Sequence, residues 1–120
     1  MQNEKRNLSE RLLEFGASII KLSIKLSKTF IGRHIGFQLM KSATSSGANY
    51  EEACGAESKA DFIHKMQIVL KELRESLFWL KLIAKAGLLL AEDIQLSLNE
   101  AEELVKIFSK SIVTAKNSKK

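Results

Sequence analysis

The chain contains no proline, so no ring-constrained residue kinks or stops a helix anywhere in its 120 residues. Its single cysteine, Cys54, excludes an internal disulfide and any Cys-x-x-Cys metal site. That usage suits a reducing compartment, and Cys54 is expected to be a small buried or half-buried filler. No apolar run approaches the roughly 18 residues that a membrane span needs. The N-terminal stretch MQNEKRNLSERLLEF carries a charge every few residues and lacks the apolar heart of a signal peptide. A cytoplasmic protein without a membrane partner is expected.

Catalytic signatures are missing as well. There is no glycine-rich phosphate loop, no H-E-x-x-H and no G-x-S-x-G. A di-metal bundle site needs Glu-x-x-His pairs. Glu52, Glu72 and Glu75 are available, but neither His34 nor His64 follows a glutamate by three residues. Ser45 and Ser46 have no acid–base partner at a useful spacing. The expectation is no metal, no cofactor and no enzymatic activity.

What is present is helix-forming. Alanine, leucine, glutamate and lysine dominate, with 45% apolar and 28% charged residues, as in one ordinary foldable domain. Leu8, Leu12, Phe15, Ile19, Leu22 and Leu26 recur at alternating steps of four and three, predicting a first helix over about 7–28. Asn7 and Glu10 are spaced as a capping box at its start. Leu13, Ile20 and Ile24 lie off that seam and widen the apolar face beyond the needs of one partner helix.

A second helix over about 32–56 buries Ile35, Leu39, Ala43, Ser46, Tyr50 and Ala53, a small-residue side that lets a neighbour approach closely. A third, over 59–86, starts at Ser58 as N-cap and stops at Gly87. Its seam is Phe62, Met66, Val69, Leu73, Ser76, Leu80 and Ile83, with a parallel stripe of Ile63, Leu70, Leu77 and Ala84. Lys71 and Glu75 are spaced for an i, i+4 pair. A fourth, over 91–116, uses Ile94, Leu98, Ala101, Val105, Phe108 and Ile112, and the basic tail from Thr114 to Lys120 is expected to fray. Four such helices with short connections predict an all-α, antiparallel up-down-up-down four-helix bundle as one domain over residues 1–120. The surplus apolar stripes predict self-association.

The net charge of +5 is uneven. Residues 1–41 hold eight bases against three acids, whereas residues 42–58 hold three acids and no base. Lys21, Lys25 and Lys28 share one helix face, a phosphate-binding stripe or an ordinary solvated surface.

The run Gly36-Phe37-Gln38-Leu39, then Ser42-Ala43-Thr44-Ser45-Ser46-Gly47-Ala48-Asn49-Tyr50 and Glu52-Ala53-Cys54, is distinctive. So is Ser58-Lys59-Ala60-Asp61-Phe62-Ile63-His64-Lys65, followed by Lys71-Glu72, Glu75 and Trp79-Leu80. These tracts resemble a bacterial family of small four-helix-bundle proteins encoded within 23S rRNA intervening sequences and described as ribosomal-protein-like. The resemblance spans about residues 30–116 and is most specific over 36–80. It implies a homopentameric ring and kinship to the accessory variability proteins of diversity-generating retroelements. Those proteins engage a reverse transcriptase and nucleic acid, so RNA, DNA or a nucleic-acid-processing protein are the implied partners.

Under that resemblance Gln38, Ser42, Ser45, Gly47, Asn49, Glu52, Asp61, Phe62, Lys65, Glu72, Glu75 and Trp79 are structural or interface positions. The chain departs from the family pattern at Glu51 and Gly55, where relatives are often basic. Nucleic-acid binding then falls to Lys21, Lys25, Lys28, Arg33, Lys41 and the lysine-rich tail.

Overall fold

The computed structural model describes residues 4–118, with side chains described from Leu8 onward. Four helices follow one another: α1 over Glu4–Leu26, α2 over Phe30–Cys54, α3 over Lys59–Ala86 and α4 over Ala91–Lys116. The third and fourth match their expected bounds. The first begins upstream of Asn7, so Asn7 does not mark the helix start; its side chain, and with it the capping box, lies outside the described residues. Lys119 and Lys120 of the tail also lie outside them.

The α1–α2 break, residues 27–29, falls two residues earlier than expected, and α2 starts and ends two residues earlier, because Thr29 caps α2. Its Oγ1 accepts from the Gly32 amide at 3.0 Å, which satisfies one of the orphan donors at the helix start. At α3, Ser58 caps as expected, accepting from the Asp61 amide at 3.0 Å. Gly87 ends α3 with φ 70°, the left-handed conformation that glycine adopts without Cβ strain.

Cross-helix contacts show that each helix runs against its predecessor. Gly36 on α2 faces Ser23 and Leu26 near the end of α1. Ser42 on α2 meets Ser76 on α3, and Lys59 at the start of α3 bonds the Ser118 carbonyl just beyond α4. α1 packs on α2, α2 on α3 and α3 on α4 extensively, whereas α1 and α4 touch along a thinner seam. Ion pairs reinforce that seam. The Arg11 guanidinium grips Glu100 through two nitrogens at 2.9 and 3.0 Å and reaches Glu103 at 3.0 Å. Glu100 accordingly holds the Arg11 guanidinium above its ordinary pKa.

The core joins Leu12, Phe15 and Ile19 of α1, Leu39 and Tyr50 of α2, Val69, Leu73 and Leu80 of α3, and Leu104 and Phe108 of α4. On α4 the expected seam is off by one position in part: Ser97 and Leu104 are buried, while Leu98 and Val105 are only half-buried. Cys54 is exposed, not buried. It is the last residue of α2, next to the Gly55 C-cap.

Tyr50 is almost fully buried and meets Phe108 edge-on, with ring centroids 5.5 Å apart. Burial, and secondarily the neighbouring Cys54, pushes the phenol well above its ordinary value. A raised folded-state pKa stabilises the fold fully below the unfolded value of about 10 and loses that contribution as pH rises above it. Tyr50 is the sole tyrosine, so absorbance at the phenolate band reads it alone. Ionisation is expected only in step with alkaline unfolding, not in the native protein near pH 10.

Candidate interaction surfaces

Three groups of residues form candidate surfaces, and α1 supplies the most exposed. Leu13, Ala17, Ile20 and Ile24 recur at steps of four, three and four along its outer side, and no helix of the chain covers them. Leu13 is 71% exposed and Ile24 64%. Thr44, Ala48 and Glu51 of α2 border this stripe and close a shallow groove of ≈ 390 Å³. Phe37, 53% exposed, stands on the same outer side of α2.

Gly16 and Gly47 form the groove floor. A Cβ at Gly47 would meet Leu12 at 3.7 Å and one at Gly16 would meet Thr44 at 3.8 Å, both ordinary contacts. The bundle does not need these glycines for close packing; their absence of side chain keeps the groove open. Close approach occurs instead near the α1–α2 corner, where a Cβ at Gly36 would meet Leu26 at 3.3 Å. Gly47→Ala is therefore expected to stabilise the isolated bundle by about 0.5–1 kcal/mol through helix propensity, read by urea melts, while partly filling the groove.

The second group is the α2–α3 seam, where most residues of the distinctive tracts converge. Ser42 and Ser76 share a buried hydroxyl contact at 2.8 Å, and each is also within hydrogen-bond range of a carbonyl of its own helix, Leu39 or Glu72. Lys65 on α3 bonds Glu52 on α2 at 2.6 Å, which raises the Lys65 pKa. The Asn49 amide donates to the Ser45 carbonyl at 2.9 Å and to its hydroxyl at 3.1 Å. Gln38 is half-buried on the same side of α2, and Phe62 packs half-buried against the core.

Glu72 stands 3.9 Å from Lys71, and Glu75 accepts from Trp79 Nε1 at 3.0 Å. The expected Lys71–Glu75 pair is thus replaced by these two contacts. Asp61 is exposed in the first turn of α3, tied through its amide to Ser58. Gly47 belongs to the α1 groove and not to this seam. Two of these contacts, Ser42–Ser76 and Glu52–Lys65, cross between α2 and α3, and they set the register of the two helices.

The third group is basic, and it does not form one patch. Lys25 is engaged with Asp93 on α4 at 3.2 Å. Arg33 Nη1 donates to the Ser27 carbonyl at 3.4 Å. Lys21, Lys28 and Lys41 are exposed, but Lys41 sits on the outer side of α2 with the apolar stripe between it and the other two. The sequence could not foresee the Lys25–Asp93 pair, whose members are 68 positions apart.

Among the described residues no cluster of His, Cys, Asp and Glu could hold a metal ion, and no helix is long and apolar enough to cross a membrane. The family described as 23S rRNA-intervening sequence protein matches residues 4–110. Among solved structures, the chain is similar to a protein of unknown function of the S23 ribosomal protein family from Bacteroides thetaiotaomicron. The two share 34% identity and a TM-score of 0.79, covering 87% of this chain and 96% of that one. No curated protein matches the chain.

Proposed function

The chain belongs to the 23S rRNA-intervening sequence protein family, and from that premise we propose that it is a non-enzymatic, nucleic-acid-associated module that acts as a homo-oligomer. Five copies is the number the family resemblance implies. The observation that carries this reading is the uncovered apolar stripe of α1. Leu13, Ile20 and Ile24 repeat at core-like spacing yet lie more than two-fifths exposed, and a contiguous exposed apolar stripe marks an interaction surface. A ring of five closes through heterologous contacts, so the stripe of one copy meets a different face of the next.

Nucleic acid is the client favoured by charge. Bases outnumber acids by five overall, and Lys21, Lys28 and Lys41 make no ion pair among the described residues. Glu51 is the one titratable residue lining the α1 groove among the described residues, which suits a binding surface better than a catalytic one. Fluorescence anisotropy with a structured RNA and a duplex DNA, run across a salt series, tests the reading. Binding that weakens steeply as salt rises is expected. No binding at low salt, with a protein recovered stoichiometrically from native lysate, would favour a protein-interaction scaffold instead.

A further inference from the structure

Lys71, Arg74, Phe78, Lys81 and Lys85 succeed one another along α3 at steps of three, four, three and four. That spacing places them in one row, and all five are exposed. No acidic residue interrupts the row. Arg74, Lys81 and Lys85 make no ion pair among the described residues, and Lys71 has only a 3.9 Å approach to its neighbour Glu72. The row sets like charges at i, i+3 (Lys71, Arg74) and at i, i+4 (Lys81, Lys85), arrangements that destabilise a helix in isolation. A polyanion lying along the helix relieves both.

The aromatic at the centre of the row is the second observation. Phe78 is 56% exposed, though burial would be favourable for so large an apolar ring. Its orientation is fixed by an edge-on contact with Trp79, with centroids 5.1 Å apart and planes at 70°. Trp79 is in turn anchored by its Nε1 bond to Glu75. A held, water-exposed ring between four cations is the combination that binds single-stranded nucleic acid: bases stack on the ring while Lys and Arg follow the phosphates.

We propose that this outer face of α3 is a docking strip for single-stranded nucleic acid, with Phe78 as the stacking platform and Lys71, Arg74, Lys81 and Lys85 as the phosphate contacts. The proposal rests on the nucleic-acid reading above and gives it a surface different from the lysines of α1. A duplex presents phosphates but no free base face, so the ring selects unpaired strands. From Lys71 to Lys85 the helix rises about 21 Å, room for several nucleotides of extended strand. α3 packs on α2 and α4 but not on α1, so the strip lies on a different side of the bundle from the α1 stripe.

The test uses the full chain with fluorescein-labelled oligouridine, oligothymidine and a duplex RNA of equal length. Anisotropy gives affinity, and Trp79, the sole tryptophan, reports stacking at its neighbour by quenching. Both single strands are expected to bind more tightly than the duplex and to quench Trp79. Phe78→Ala should weaken single-strand binding roughly 5- to 100-fold, while Phe78→Tyr retains it. Lys81→Gln with Lys85→Gln should reduce the salt slope by about 1.4. If the single strands bind but neither Phe78→Ala nor the α3 pair matters, while Lys21→Gln with Lys28→Gln abolishes binding, the strip is refuted and the nucleic-acid reading stands. If no probe binds at low salt, both are refuted. Duplex binding as tight as single-strand binding also overturns the strip.

Discussion

Gly32→Ala is expected to destabilise the protein by about 3 kcal/mol, combining overpacking with the loss of a helix cap. Gly32 is buried two residues into α2, directly under the end of α1. A Cβ there would run into the carbonyl oxygen of Leu26 and stand 2.8 Å from Thr29 Oγ1. The Leu26 carbonyl is backbone and cannot rotate away, so either the α1–α2 corner opens or the Thr29 cap breaks. For a domain of this size the melting temperature should fall by roughly 10 °C. Gly55→Ala is the matched control: its nearest neighbour would be the Glu52 carbonyl at 3.9 Å, and it should melt close to the parent. A Gly32→Ala protein that melts with the parent would mean the corner is looser than its geometry requires.

Phe108→Ala carries the other large effect, about 3–5 kcal/mol. Phe108 is fully buried, and its edge-on contact with Tyr50 joins α4 to α2, two helices with no backbone proximity to each other. Truncation leaves a cavity at the centre of the bundle and admits water toward the Tyr50 hydroxyl. Two readouts should therefore move together: the urea midpoint drops, and the Tyr50 phenol ionises at lower pH than in the parent. A lower midpoint with unchanged Tyr50 ionisation would show that the surrounding helices collapse to fill the space.

Much of this architecture is legible in the residue order because helix periodicity and caps are local. Val69, Leu73, Leu80 and Ile83 announce the buried side of α3, and Ser58 and Gly87 mark its ends. α4 is harder to read, because Ser97 is a polar residue at a core position and the apolar periodicity passes through Leu98 and Val105 while Ser97 and Leu104 are the buried ones. The periodicity places the start of α2 at about Gly32, but Gly32 already lies inside the helix as the donor that Thr29 caps.

Features that depend on pairs distant in sequence were out of reach. The small-residue side of α2 is buried as its pattern indicates, at Ala43, Ser46 and Ala53, but the pattern does not show that Ser42 joins Ser76 across helices or that Gly47 opens a groove. Sharing a helix face with Lys21 and Lys28 said nothing of Asp93, which takes up Lys25. The α1 stripe, by contrast, was visible: Leu13, Ile20 and Ile24 were surplus to one seam in the sequence, and they are uncovered in the fold.

That stripe is the centre of the account, and mass in solution tests it most directly. Size-exclusion chromatography with light scattering on the full chain at micromolar concentration should give a multiple of the protomer mass. Leu13→Glu with Ile20→Glu, two exposed positions where charge costs the isolated bundle little, should reduce it to one protomer with unchanged helicity. A parent protein that is monomeric at that concentration, or a double variant that keeps the parent's mass, would contradict the assembly proposed here.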